Sequence, residues 1–441
     1  MPYRRTLAAT VAATFALVGA AAAGAAYEAP DNPASSNDTT FACTTPAPAW
    51  QYAWYHCYTP SDITSAYGVN ALQSQGVLGQ GQTIVLVDAY GSPTAASDLQ
   101  FFHDTFYRSL PNPSFKQIYP NGNSDGSGDP AGGSGPATLD VEWSYAIAPR
   151  AHIVLMAVPP TQDLPSLIAS VSNEIDATPP GTVFSIGLAV SEQPQLVKLD
   201  AVFRKGIAKG DTFFAPSGDD GSRPVAWPAS SPYVTAVGGT QLQHGWTWSP
   251  SSDVAESPSY FASTTGGNRN AVWNESWLPA ASGGGPSTIY PRPSWQSGVA
   301  AVIGSNARGV PDLAWNAAVN GGVLVYLTAF PQDQRAGWHV YGGTSAAAPQ
   351  VAALTALAEQ KRASAHKPPL GNIDALLYSH PKWFTDIAPV TEGTALSGQL
   401  VNNREWDDNV DGGWPTLTGY DMTTGLGTPN APAYVKGLAG S

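Results

Sequence analysis

Apolar residues in this chain fall into short, nearly unbroken runs that alternate with longer stretches of helical periodicity. Thr83 to Asp88, Ile153 to Ala157, Val183 to Leu188 and Thr212 to Ala215 read as buried strands. Ala95 to Phe106, Pro136 to Ala148, Leu164 to Ile175 and Leu199 to Lys209 read as helices, with Pro149 and Gly210 as stops. An earlier helix starts around Pro60, with Ser61 or Thr59 as cap, and ends at Tyr67-Gly68-Val69. This order predicts an α/β fold, a mostly parallel sheet with helices on both faces. Residues 223–300 look loop- and hairpin-rich. No repeat appears, and no linker marks a second domain.

The pattern changes character near the C-terminal third. Apolar Val323 to Tyr326 and Trp338 to Tyr341 lead into Gly342-Gly343-Thr344-Ser345-Ala346-Ala347-Ala348-Pro349, and Val351 to Ala358 follow at helical spacing. The reading is strand, Gly turn, helix, with Ser345 at the helix N-terminus and Pro349 near the end of the first turn. Such a position leaves a hydroxyl exposed beside unpaired backbone N–H groups. A nucleophile needs both an accessible oxygen and donors for the oxyanion that forms on attack. The plainer alternative is an Ala-rich helix capped by serine.

Composition narrows the setting. The 441 residues are 43% hydrophobic, only 12% charged, and include 45 Gly and 39 Pro. A formal charge of -13 lacks the basic footprint of a nucleic-acid binder. Met1 to about Ala26 reads as a secretory signal peptide, with Arg4 and Arg5 ahead of an Ala-rich apolar stretch. It implies a secreted, extracellular protein with no membrane contact after signal cleavage. Residues 27–57 form a polar extension. It contains the only cysteines, Cys43 and Cys57, which would pair as a disulfide in an oxidising compartment.

Several segments together resemble the sedolisins, or serine-carboxyl peptidases. They are Gly343-Thr344-Ser345-Ala346 with Pro349, Leu139-Asp140-Val141-Glu142-Trp143, Ala215-Pro216-Ser217-Gly218-Asp219, Trp227-Pro228-Ala229, Gly283-Gly284-Gly285, Val310-Pro311-Asp312, Phe384-Thr385-Asp386-Ile387 and Gly419-Tyr420-Asp421. The resemblance runs in order over roughly residues 58–435. It implies a single subtilisin-like domain over 58–441 with a C-terminal calcium loop. It implies a serine-type endopeptidase that hydrolyses peptide bonds in proteins at acid pH. Ser345 matches the nucleophile, Asp140 the triad aspartate, and Asp219 the protonated aspartate of the oxyanion hole. Asp386 and Asp421 match calcium carboxylates, and Ile387 and Gly419 match carbonyl ligands of one structural Ca2+. Partners would be protein or peptide substrates, and the protein would be a monomer.

The sequence departs from the family at one decisive place. The glutamate base expected one helical turn before Asp140 is Pro136, which cannot accept a proton. Asp125, Asp129, Glu142 and His103 are the nearby titratable alternatives. Residues 184–188 match the family's substrate strand poorly. The segment before Tyr58 is too short for the family's usual pro-domain, so the resemblance is to pro-domain-less members. The alternative function is a catalytically impaired pseudopeptidase, a secreted peptide-binding or structural protein.

Overall fold

The computed structural model describes residues 27–28, 57–122, 124, 133–159, 162–243, 269–275, 280–319, 321–329, 336–387 and 413–441. Cys43, Asp125, Asp129 and the signal segment fall outside them. Cys57 is disulfide-bonded.

The elements that position the site are strands β1 (Tyr27–Glu28), β2 (Cys57–Tyr58), β3 (Thr83–Ala89), β4 (Ser114–Ile118), β5 (His152–Val158), β6 (Val183–Ile186), β7 (Thr212–Pro216), β8 (Thr235–Gln243), β9 (Arg269–Val272), β10 (Leu313–Asn316), β11 (Gly322–Leu327) and β12 (Gly337–Gly342). The helices are α1 (Pro60–Ala66), α2 (Ala95–Phe106), α3 (Ser134–Ile147), α4 (Leu164–Ala177), α5 (Ala201–Lys209), α6 (Thr344–Ser364) and α7 (Ala431–Gly440).

The central sheet has the order β9-β8-β7-β6-β3-β5-β4, with β10 also paired to β8. All its pairs are parallel except β8 with β9. Alternate residues of β3 and β5 serve two cores. Ile84, Leu86, Ile153 and Leu155 pack with α3 and α6, whereas Val85, Val87, Val154 and Met156 pack with α4 and α5. Burial on both faces is why these strands read as unbroken apolar runs. A smaller sheet, β1-β12-β11-β2, lies beside it. Trp143 on α3 is tied to this sheet by an Nε1–H bond of 2.8 Å to the Leu324 carbonyl.

Three local expectations change. Thr235 to Gln243 is a central strand rather than part of a hairpin region. Gly238 and Gly239 obscure its pattern, yet both are required. A Cβ on Gly238 would sit 2.7 Å from Pro311 Cγ, and one on Gly239 would sit 2.8 Å from Ala317 Cβ. Helix α3 starts at Ser134 rather than Pro136. Pro136 is tolerated because the first-turn N–H groups have no helical acceptor. Pro349 lies in the second turn of α6, not at the end of the first. Its ring therefore removes the donor that would bond the Ser345 carbonyl. At α1, Thr59 is the cap, and it forms a reciprocal capping box with Asp62.

Candidate active site

Three parallel strands end on one side of the sheet, where open α/β sheets form their binding crevices. β3 ends beside Asp88, β6 leads to Gly187, and β7 leads to Asp219. α6 enters the same region from β12 through Gly343, whose φ of 101° needs glycine.

Ser345 sits in the first turn of α6. It is only 4% exposed, and its Oγ is buried without a hydrogen-bond partner. The expected exposed hydroxyl is thus corrected. α6 is buried on all sides along Thr344 to Glu359, so its tip is carried inside the protein. Among the described residues no acidic oxygen lies within hydrogen-bonding distance of Ser345 Oγ.

Asp219 is joined to the residue before Ser345. Its Oδ1 accepts the Thr344 N–H at 2.8 Å and the Thr344 hydroxyl at 2.7 Å. The Thr344 Oγ1 also accepts the Gly218 N–H at 3.1 Å. Oδ2 of Asp219 is buried and unpartnered. Burial pushes this carboxyl up to about 7, against the Thr344 hydrogen bonds that favour its charged form. It is therefore a proton donor in mild acid. The Gly283-Gly284-Gly285 segment holds this loop. The Gly283 N–H bonds the Gly218 carbonyl at 2.7 Å, and a Cβ there would lie 2.6 Å from the Ser217 and Gly218 carbonyls. Only glycine permits that approach.

Asp140 lies buried on α3 and hydrogen-bonds Asp88, at the end of β3. Both carboxyls are raised by burial, and Asp140 further by the Asp88 charge. Asp140 therefore holds the shared proton most tightly. One oxygen of each, Asp140 Oδ1 and Asp88 Oδ2, has no partner. The Asp88 carboxylate lies so close over Gly187 that any side chain there would collide with it. Sequence reading missed Asp88. Its signal was a carboxylate closing an otherwise apolar strand. Helices α3 and α6 touch one turn further on, where the Ser144 hydroxyl reaches the Pro349 carbonyl at 3.5 Å. Ser144 and Pro349 each stand four residues after Asp140 and Ser345.

The other candidate bases are elsewhere. Glu142 is buried under β11, accepts the Tyr326 N–H at 2.9 Å, and is held well above its usual range by burial. His103 Nδ1 pairs with the Tyr145 hydroxyl at 2.6 Å. At the α3 N-terminus, the Tyr341 hydroxyl occupies the space against Gly135, beside Pro136.

The four residues matched to calcium ligands lie on two segments, 386–387 and 419–421. Asp386 Oδ2 accepts the Gly419 N–H at 2.9 Å, and Asp421 Oδ2 accepts the Leu417 N–H at 3.0 Å. Asp421 Oδ1 is gripped by Thr423 and Thr424. Among the described residues no group of three or more His, Cys, Asp or Glu could hold a metal. Two carboxylates plus nearby carbonyls form the hard-oxygen set that calcium accepts.

This fold and this crevice define a subtilisin-like α/β protein. A family model described as the subtilase family matches residues 133–380. The chain belongs to that family, and its relatives place it with the sedolisins. It is 32% identical to kumamolisin of Bacillus sp. (strain MN-32), over 84% of this chain and 62% of that one. It is 32% identical to sedolisin of Pseudomonas sp. (strain 101), over 52% of this chain and 35% of that one. The chain thus spans less than two thirds of the length of these relatives. The solved structure of Pseudomonas sedolisin, a serine-carboxyl proteinase complexed with two molecules of pseudo-iodotyrostatin, superposes with a TM-score of 0.69. That superposition covers 88% of this chain and 99% of the other, at 24% identity. No helix among the described residues is long and apolar enough to cross a membrane.

Proposed function

We propose that this chain is a secreted serine-type endopeptidase of sedolisin type, slowed by the loss of its glutamate base. The observation that carries this is Asp219. It is fixed to Thr344, the residue before the nucleophile, and it presents one buried, unpartnered, high-titrating carboxyl oxygen. Ser345 Oγ attacks the peptide carbonyl carbon. The Ser345 N–H and protonated Asp219 hold the oxygen that gains charge. The Asp88–Asp140 pair takes the serine proton and returns it to the leaving amine. Water then hydrolyses the ester in the reverse sense.

Ser345 Oγ starts with no acceptor, so proton transfer spans a gap that a hydrogen-bonded dyad lacks. A positioned base contributes about 10²–10⁴-fold, so its loss slows the reaction without abolishing it. The pH range is mildly acid. Above about 7, Asp219 ionises and repels the oxyanion. Asp386 and Asp421, with the Ile387 and Gly419 carbonyls, would hold one Ca2+. When bound, the ion ties two C-terminal segments together and neutralises their carboxylates.

The test is hydrolysis of a denatured protein by purified protein with calcium at mildly acid pH, beside Ser345→Ala. Loss of activity in the variant supports the reading. Equal rates would favour the second reading, a peptide-binding pseudopeptidase. The unpartnered Ser345 Oγ and Pro136 favour that alternative.

A further inference from the structure

β12 is the strand that ends at Gly342 and delivers Ser345 through the Gly343 turn. β11 covers one edge of it, and the two-residue β1 covers the other. β1 runs antiparallel, with Tyr27 opposite Gly342 and Glu28 opposite Tyr341. The N-terminal end of β1 is therefore the end nearer Ser345. The part of a substrate that follows the cleaved bond has this same direction, with its amino end at the nucleophile. Gly342 is glycine because the Ala317 and Ala318 carbonyls fill the space where a side chain would be.

We infer that β1 is an intramolecular ligand, seated on the backbone edge that receives the leaving half of a peptide, and that it must leave before such a peptide binds. The word substrate rests on the peptidase reading above; the occupancy itself does not. Energetics suit a displaceable occupant. A two-residue strand makes few ladder bonds, and the entropy of ordering its residues opposes them. Because β1 belongs to the same chain as its partner strand, it has an effective concentration on the order of millimolar. Peptides that bind weakly therefore compete poorly with it.

The test uses the full chain carrying Ser345→Ala, so that nothing is cleaved. A second protein adds Tyr27→Pro and Glu28→Pro, which remove the N–H donors of β1. The probe is a fluorescent synthetic peptide with the sequence of residues 27–33, followed by anisotropy. Amide exchange at Tyr341 and Gly342 is the second readout. The inference expects the peptide to bind the proline variant about tenfold more tightly. It also expects exchange at Tyr341 and Gly342 to speed up in that variant and to slow again with peptide. Equal affinity for the two proteins, or no binding to either, overturns it. A tenfold difference alongside no Ser345-dependent hydrolysis would sink the peptidase reading alone, and active enzyme with equal affinities would sink this inference alone.

Discussion

Asp219 and Thr344 are joined through a single carboxylate oxygen, which accepts both the backbone N–H and the hydroxyl of the threonine. The other oxygen is left for a ligand. Replacing Asp219 with Ala should lower kcat about 10²–10³-fold with little change in KM, the usual loss for one oxyanion donor. Asp219→Asn keeps a donor that does not titrate. It should retain more activity than Ala, and its kcat profile should lose the alkaline fall near pH 7. A profile that still falls there would assign that limb to another group.

Asp88 and Asp140 behave as one unit, so single and double changes should cost alike. Asp88→Asn and Asp140→Asn should each reduce kcat about 10²–10⁴-fold, and the double variant should be little worse than either. Removing Asp88 also removes the like charge that helps hold Asp140 high. In Asp88→Asn, the acid limb of the residual activity should move to lower pH. Additive losses in the double variant would show two independent roles.

The fold was legible because strands covered on both faces leave unbroken apolar runs, and the helices between them keep helical periodicity up to stops such as Gly210. Helix 95–106 appears with the boundaries that its periodicity implies. β8 escaped because two glycines required by close packing look like a turn. At the site, local motifs name Ser345, Asp140 and Asp219 as candidates, and the structure joins Asp219 to Thr344 beside Ser345. Asp88 was not legible, since a carboxylate at a strand end acquires meaning only when α3 is folded over it. The burial of Ser345 also escaped. An Ala-rich helix tip looks the same in sequence whether it faces solvent or is enclosed by α3 and the sheet.

Stability should rise as pH falls, the reverse of ordinary acid denaturation over this range. Asp219 titrates about 7 when folded, against about 4 in an unfolded chain. Its neutral form is favoured by folding, so its full contribution is present below about pH 4 and is lost as pH rises through about 7. At about 1.4 kcal/mol per unit, the loss is at most about 4 kcal/mol. Asp374, also raised to about 7 chiefly by burial, and Glu142 act in the same direction. Thermal melts should give a higher Tm at pH 5 than at pH 8. Asp219→Asn should narrow that difference, and an unchanged difference would show that other groups carry it.

Calcium should stabilise the C-terminal part of the fold. The Asp386 and Asp421 carboxylates accept the N–H groups of Gly419 and Leu417, which brings the two segments together. A ligand present at about 100 times its Kd adds about 2.7 kcal/mol. A chelator should therefore lower Tm by about 3 °C, and added calcium should restore it. In Asp386→Asn the melt should no longer respond to calcium. A response that persists would place the ion elsewhere.

Restoring the missing carboxyl is the sharpest examination of the broken dyad. Position 136 lies one turn before Asp140 on α3, so a glutamate there would share its helix face. The Tyr341 phenol already fills the space against Gly135, and Tyr341 is only 4% exposed. Pro136→Glu alone should therefore raise kcat/KM only modestly, because the buried Tyr341 phenol crowds the helix turn that carries position 136. Pairing it with Tyr341→Ile removes the obstacle and should raise kcat/KM by about 10²-fold or more, the lower range for a positioned base. Tyr341→Ile by itself supplies no base and should give no such gain. If the double variant matches Tyr341→Ile alone, a carboxyl at position 136 does not reach the serine, and the slow step lies elsewhere than in the lost glutamate.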